Sequence, residues 1–174
     1  MIKIASAADA AEQLRQAYGC FPSGVTAVCA LVDGIPVGMA ASSFTSVSMN
    51  PPLVSVCIQH SSTTWPKIQP RSRLGVSVLA EGQDAECLAL SSKGQDRFAG
   101  IAWTPSPDGA VYVSGATAWL ECSLEAELPA GDHLIALLRI HGLRAEPARS
   151  PLVFHGSVFR SLAAVSGAPN GAAG

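Results

Sequence analysis

Val25–Ala40 reads VTAVCALVDGIPVGMA, two β-prone runs on either side of Asp33-Gly34. A tight type I′ turn needs positive φ at both central positions, and Asp-Gly satisfies that at low steric cost. The stretch therefore predicts a hairpin of two antiparallel strands.

The reading extends outward from this hairpin. Upstream, Ser6 followed three residues later by Asp9 resembles a helix start, and Ala10, Leu14 and Ala17 recur at helical spacing, so one amphipathic helix is expected from about Ala7 to Tyr18. Downstream, Asn50-Pro51-Pro52 breaks the chain and excludes helix before the strand LVSVCIQ. A short helical turn is expected at Trp65-Pro66-Lys67-Ile68, a strand over Leu74–Ala80 and a helix over Asp84–Leu90. TPSPDGAV reads as a loop by its proline and glycine content, and strands follow near Val111–Val113, Ala118–Glu127 and Leu134–Ala145. Many short strands with tight turns and few helices indicate a mainly β fold, a barrel or sandwich. There is no internal repeat. AAVSGAPNGAAG, after Leu162, lacks a core-forming pattern and is expected to be a flexible tail.

The 174 residues suit one domain. Hydrophobic residues make up 48% and charged residues 14%, which leaves little polar material to cover a monomer and points to further burial in an oligomer. A net charge of −2 without a basic run argues against a nucleic-acid partner. No apolar stretch reaches spanning length without turn residues and no signal peptide is evident, so a cytoplasmic protein with no membrane association is expected. Cys20, Cys29, Cys57, Cys87 and Cys122 are widely spaced with no CxxC, and read as reduced, mostly buried thiols. His60, His133, His141 and His155 lack ligand spacing, so no metal is expected. GxGxxG, GxxxxGK followed by Ser or Thr, HExxH and GxSxG are all absent.

Pro36–Thr64 carries ten hydroxyl side chains and no Asp, Glu, Lys or Arg. Small residues at Gly38, Ala40 and Ala41 would let backbone amides approach a planar ligand, and Ser42, Ser43, Thr45 and Ser46 could donate to ring edges or phosphate. The same composition serves turn backbone in all-β proteins, and by residue type alone that use is the commoner. Asp132-His133, at the mouth of an apolar strand, offers either a titrating donor or a turn and its cap. Arg71, Arg73, Lys93 and Arg97 are the cations that could meet phosphate or simply be solvated. Trp65, Trp103 and Trp119 read as packing residues, and Cys57 as core, since nothing cationic adjoins it to lower its pKa.

Taken in order, FPSGVTAV from Phe21, GMAASSFTSVSMNPPLVSVCIQ from Gly38, SSTTWPKI from Ser61, RLGVSVLA from Arg73, RFAG from Arg97, GDH from Gly131 and PLVFHGSVFRSL from Pro151 resemble the short-chain flavin reductases, the reductase components of two-component flavin-dependent monooxygenases. The resemblance runs from about Tyr18 to Leu162 and implies a single domain over residues 1–162, a split β-barrel (a Greek-key antiparallel barrel) with a few flanking helices, ahead of the tail at 163–174. It implies a homodimer that binds FAD or FMN, reduces it with NADH, or NADPH, and passes reduced flavin to a separate monooxygenase. By the same resemblance Ala40, Ala41, Ser42, Ser43 and Thr45 lie beside the isoalloxazine, with Cys57, Ile58 and Gln59 on the neighbouring strand. Ser62 and Thr63 hold phosphate, Arg97 and Phe98 reach the flavin tail, and His133 lies by the nicotinamide as the catalytic residue. Phe159 and His155 stand where the family often has tyrosine or another aromatic. A flavin-retaining oxidase of the pyridoxamine phosphate oxidase type and a non-catalytic flavin-binding protein are the alternative functions. NADH is favoured over NADPH because no Arg cluster suggests a 2′-phosphate site.

Overall fold

The computed structural model describes residues 10–94 and 96–163. Helix α1 (Ala11–Gly19) leads into β1 (Ser23–Gly24), β2 (Thr26–Val32) and β3 (Ile35–Ala41). Asp33 and Gly34 join β2 to β3 with φ of 53° and 81°, the pair of positive values that the turn requires. The proposed start of α1 at Ser6 and Asp9 lies outside the described residues.

Next come β4 (Thr45–Met49), β5 (Pro52–Gln59), α2 (Trp65–Ile68), β6 (Leu74–Val78) and α3 (Asp84–Ser91). The remaining strands are β7 (Trp103–Pro105), β8 (Val111–Val113), β9 (Ala118–Ala130), β10 (His133–Ala145), β11 (Val153–His155) and β12 (Val158–Arg160). TPSPDGAV is not simply a loop: Thr104 and Pro105 pair with Tyr112 and Val111, forming a ribbon on whose edge the proline need donate no hydrogen bond. The short strands β4, β11 and β12 have too little alternation to be visible as a sequence pattern. The proposed tail lies outside the described residues beyond Ala163, which is itself irregular.

Seven strands form an antiparallel sheet in the order β3-β2-β6-β9-β10-β5-β4, with a three-stranded β1-β11-β12 sheet and the β7-β8 ribbon beside it. The long sheet curls until β3 and β5 touch. The fold is mainly β with few helices, the expected class.

Alternation along β2 divides the core. Val28 and Ala30 point into one cluster with Val56, Ile68, Leu74 and Leu138, whereas Ala27 and Cys29 face a second with Leu79, Leu90, Phe98 and Val113. Burial on both faces explains why β2 is a continuous apolar run rather than an alternating one. α2 plugs one end of the inner cluster with Trp65 and Ile68, and the Trp65 indole N–H donates to Glu127 Oε1 at 2.6 Å.

Two glycines are set by close approach. A Cβ on Gly75 would collide with the backbone of Val111, so β6 and β8 can pack together only because that position has no side chain. A Cβ on Gly38 would strike the Cys29 side chain across the β2–β3 pair.

Candidate flavin site

The end of β3, the C-terminal end of β5, the segment after β5 and the C-terminal end of α3 converge on one cavity of about 790 Å³. Thr26 helps to fix its first wall by donating its hydroxyl to Ala41 O at 2.9 Å from a buried position. The second wall is β5, where alternation turns Cys57 and Gln59 outward to the cavity and Ile58 inward to the core.

Ten proposed site residues line this cavity: Ala40, Ala41, Ser42, Ser43, Cys57, Gln59, Ser62, Thr63, Arg97 and His133. Four do not. Thr45 has already turned away on β4, Ile58 is 1% exposed in the core, Phe98 is 8% exposed in the second cluster, and Phe159 stacks edge-on against Phe154 at 5.5 Å. His155 does not line the cavity either, and belongs to the β11–β12 hairpin.

Several hydroxyls on this wall are engaged with the protein itself. Ser43 Oγ accepts from Cys57 N–H at 2.8 Å and donates to Cys57 O at 3.2 Å. Ser62 Oγ accepts from Trp65 N–H at 3.1 Å, holding the first turn of α2. Thr64 Oγ1 accepts from Arg97 at 2.9 Å. Hydroxyls that line the cavity thus also tie its walls, as the turn-backbone reading of the serine-rich segment expects.

Arg97 is the main knot. Its Nη1 donates to Gly38 O at 3.3 Å, Thr64 Oγ1 at 2.9 Å and Leu90 O at 3.2 Å, joining β3, the loop before α2 and the last turn of α3. A cation beside the exposed carbonyls of a helix C-terminus is electrostatically favourable. Lys93 lines the same end of the cavity, so positive charge collects there while the β3–β5 end is uncharged.

His133 enters at the opposite edge, paired with Gln59 across β5 and β10. Its Nδ1 lies 2.7 Å from Asp132 Oδ1, and this bond holds the Asp132 carboxyl below the usual carboxylate range. An ionised carboxylate only accepts, so Nδ1 carries the proton. Nε2 is then the ring nitrogen available to a ligand.

Met39, Ser61, Thr64, Leu90 and Ser91 also line the cavity without having been singled out as site residues, and Lys93, one of the candidate phosphate cations, lines it too. The SSTT run pointed to Ser61 and Thr64. Nothing local pointed to Leu90 and Ser91, which arrive because Arg97 draws in the end of α3.

A separate cavity of about 610 Å³ near Tyr112, Trp119 and Glu121 shares no lining residue with the first. Its two cations share one carboxylate: Arg144 and Arg149 both pair with Glu146, at 2.6 and 2.7 Å. Arg73 Nε lies 3.4 Å from Glu121 but makes no hydrogen bond, so that pair is a charge contact only.

An uncharged, small-residue end joined to a cationic end matches the chemistry of an uncharged ring with a phosphate tail. The model of the flavin reductase like domain matches residues 18–163. The chain belongs to the flavin reductase family. It is 40% identical over 152 residues to a flavin reductase of Pseudomonas putida, covering 87% of this chain and 89% of the relative. It is 38% identical over 159 residues to the reductase subunit HsaB of a flavin-dependent monooxygenase from Rhodococcus jostii, covering 91% and 82%. Among solved structures, the Streptomyces globisporus NADH:FAD oxidoreductase SgcE6 in complex with NAD and FAD fragments superposes with a TM-score of 0.86 at 34% identity, covering 95% of this chain and 99% of that one. As a flavin reductase family member the chain is an oxidoreductase.

Proposed function

We propose that this protein is an NADH:flavin oxidoreductase that reduces a flavin and releases it to a separate monooxygenase. The observation that carries the reading is the convergence of Ala40–Ser43, Cys57, Gln59, Arg97 and His133 on one cavity with an uncharged end and a cationic end. The relatives named as monooxygenase reductase subunits support the second half of it.

The bound cofactors supply the chemistry, a hydride passing from nicotinamide to flavin. The chain's own residues align and solvate. Ala40 and Ala41 keep the wall thin enough for the ring to approach the β3 backbone, and Gln59 offers an amide to its polar edge. Thr63, Lys93 and Arg97 hold the phosphate. His133, oriented by Asp132, hydrogen-bonds the nicotinamide and closes that edge of the cleft.

The protein works as a homodimer in the cytoplasm. Val47 and Met49 on the terminal strand β4, 50% and 93% exposed, support a covered surface there. Among the described residues no helix is long and apolar enough to cross a membrane.

Steady-state turnover tests the function. In air, where dissolved oxygen reoxidises the reduced flavin, NADH is expected to be consumed continuously when FAD, FMN or riboflavin is added; no consumption of NADH or NADPH with any of the three would refute it.

A further inference from the structure

The cavity of about 610 Å³ beside Tyr112 and Trp119 lies apart from the flavin cavity and has no part in the proposed reaction. We propose that it is a binding site for a small hydroxyaromatic carboxylate, one benzene ring with a carboxylate at one end and a hydroxyl at the other. The inference does not depend on the flavin reading.

Charge fixes one end of the ligand. Arg144 and Arg149 both lie against Glu146, whose single carboxylate leaves one positive charge over. Arg149 Nη1 donates to Gly115 O at 2.8 Å, which anchors that guanidinium in the cavity wall. Among the described residues, Arg144 Nη1 and Arg149 Nη2 have no acceptor, so N–H groups from two arginines remain for an anion. A carboxylate cancels the surplus charge, whereas a phosphate dianion would exceed it.

The polarity is reversed at Glu121. It accepts from the Tyr112 hydroxyl at 2.9 Å and lies 3.4 Å from Arg73 Nε without a hydrogen bond. Burial, with Glu121 beside it, pushes the Tyr112 phenol above its ordinary range, so the phenol stays a donor and Glu121 an acceptor. The second Glu121 oxygen then suits a ligand hydroxyl.

Flat surface joins the two ends. Trp119 pairs with Arg144 across β9 and β10, and Glu121 pairs with Gly142 two residues further along β9, a step of about 6.7 Å that a para-substituted ring spans. The Trp119 indole is held by its N–H bond to Val113 O at 2.7 Å, and the Arg144 guanidinium stands 5.2 Å from its ring centroid. Gly142 has no side chain to fill the floor opposite Glu121, and the exposed Leu143 adds an aliphatic side chain to the lining.

Calorimetric titration of the full chain with 4-hydroxybenzoate, benzoate, acetate and 4-hydroxybenzyl alcohol tests the assignment. 4-Hydroxybenzoate is expected to bind with a Kd of about 1 mM or tighter, at least about fivefold more tightly than each of the other three. Saturating FAD should leave that Kd unchanged, since no residue lines both cavities. Arg144→Glu and Leu143→Asp, both at exposed positions, should each weaken binding at least about fivefold with the circular dichroism of the wild type retained. Absence of binding, or a margin below fivefold over any of the other three compounds, overturns the assignment. Displacement by FAD overturns it by placing the acid in the flavin cavity, and so do folded variants that bind as the wild type does.

Discussion

Ser43 and Cys57 are joined twice: the Ser43 hydroxyl accepts from the Cys57 amide at 2.8 Å and donates to its carbonyl at 3.2 Å. Ser43 follows β3 and Cys57 lies in β5, so one side chain ties together two walls of the cavity that both residues line. Ser43→Ala removes both bonds and leaves two backbone groups short of partners. A loss of about 1–2 kcal/mol in urea denaturation is expected, with weaker flavin binding. Unchanged flavin affinity would show that the bridge does not set the cavity.

Arg97→Ala should cost more, because its Nη1 serves three acceptors on three separate elements. Roughly 2–3 kcal/mol of stability is expected to be lost, together with flavin affinity. Arg97→Lys keeps the charge without the planar fork and should fall between the two proteins in both measurements.

His133→Ala is expected to lower kcat/KM for NADH roughly tenfold, about the value of one hydrogen bond, while flavin binding is retained. An unchanged rate would remove its proposed role. The pairing with Asp132 also has a pH signature. The folded Asp132 carboxyl titrates below its unfolded value because His133 donates to it. Its contribution to stability is therefore present above the ordinary Asp range and lost as pH falls through the lowered value. Thermal midpoints followed from neutral pH into acid should show that loss, and Asp132→Asn should remove its part of the slope.

Thiol labelling reads the site directly. Cys20 and Cys57 are exposed, whereas Cys29, Cys87 and Cys122 are buried. Burial pushes the Cys29 and Cys122 thiols up to about 12, so they stay protonated and unreactive at neutral pH. A thiol reagent should modify Cys20 and Cys57 in the native protein, and saturating flavin should protect Cys57 alone. Equal labelling of Cys57 with and without flavin would exclude the proposed position of the ring.

Gly75→Ala tests the packing that supports the sheet. The new methyl would meet the Val111 backbone, which cannot rotate away, so a loss of about 1–3 kcal/mol in unfolding free energy, read from denaturant titration, is expected. Gly34→Ala, with open space around it but a φ of 81°, should cost less and act through backbone strain alone.

What the sequence by itself determined is local. Asp33-Gly34 specified its turn, and the ordered motifs from Gly38 to Gln59 and at Gly131–His133 carried the family and half of the cavity lining. What only the tertiary structure decided is which groups are engaged with one another. Ile58 and Phe98 sit within matching motifs yet turn into the core, since a motif names residues while strand alternation and helix packing choose the face each presents. The paired hydrogen bonds between Ser43 and Cys57, and those from Arg97 to Gly38 and Thr64, join segments far apart in the chain. Periodicity reports which face of a strand is buried but not which distant strand covers it, so those contacts exist only once the sheet has curled.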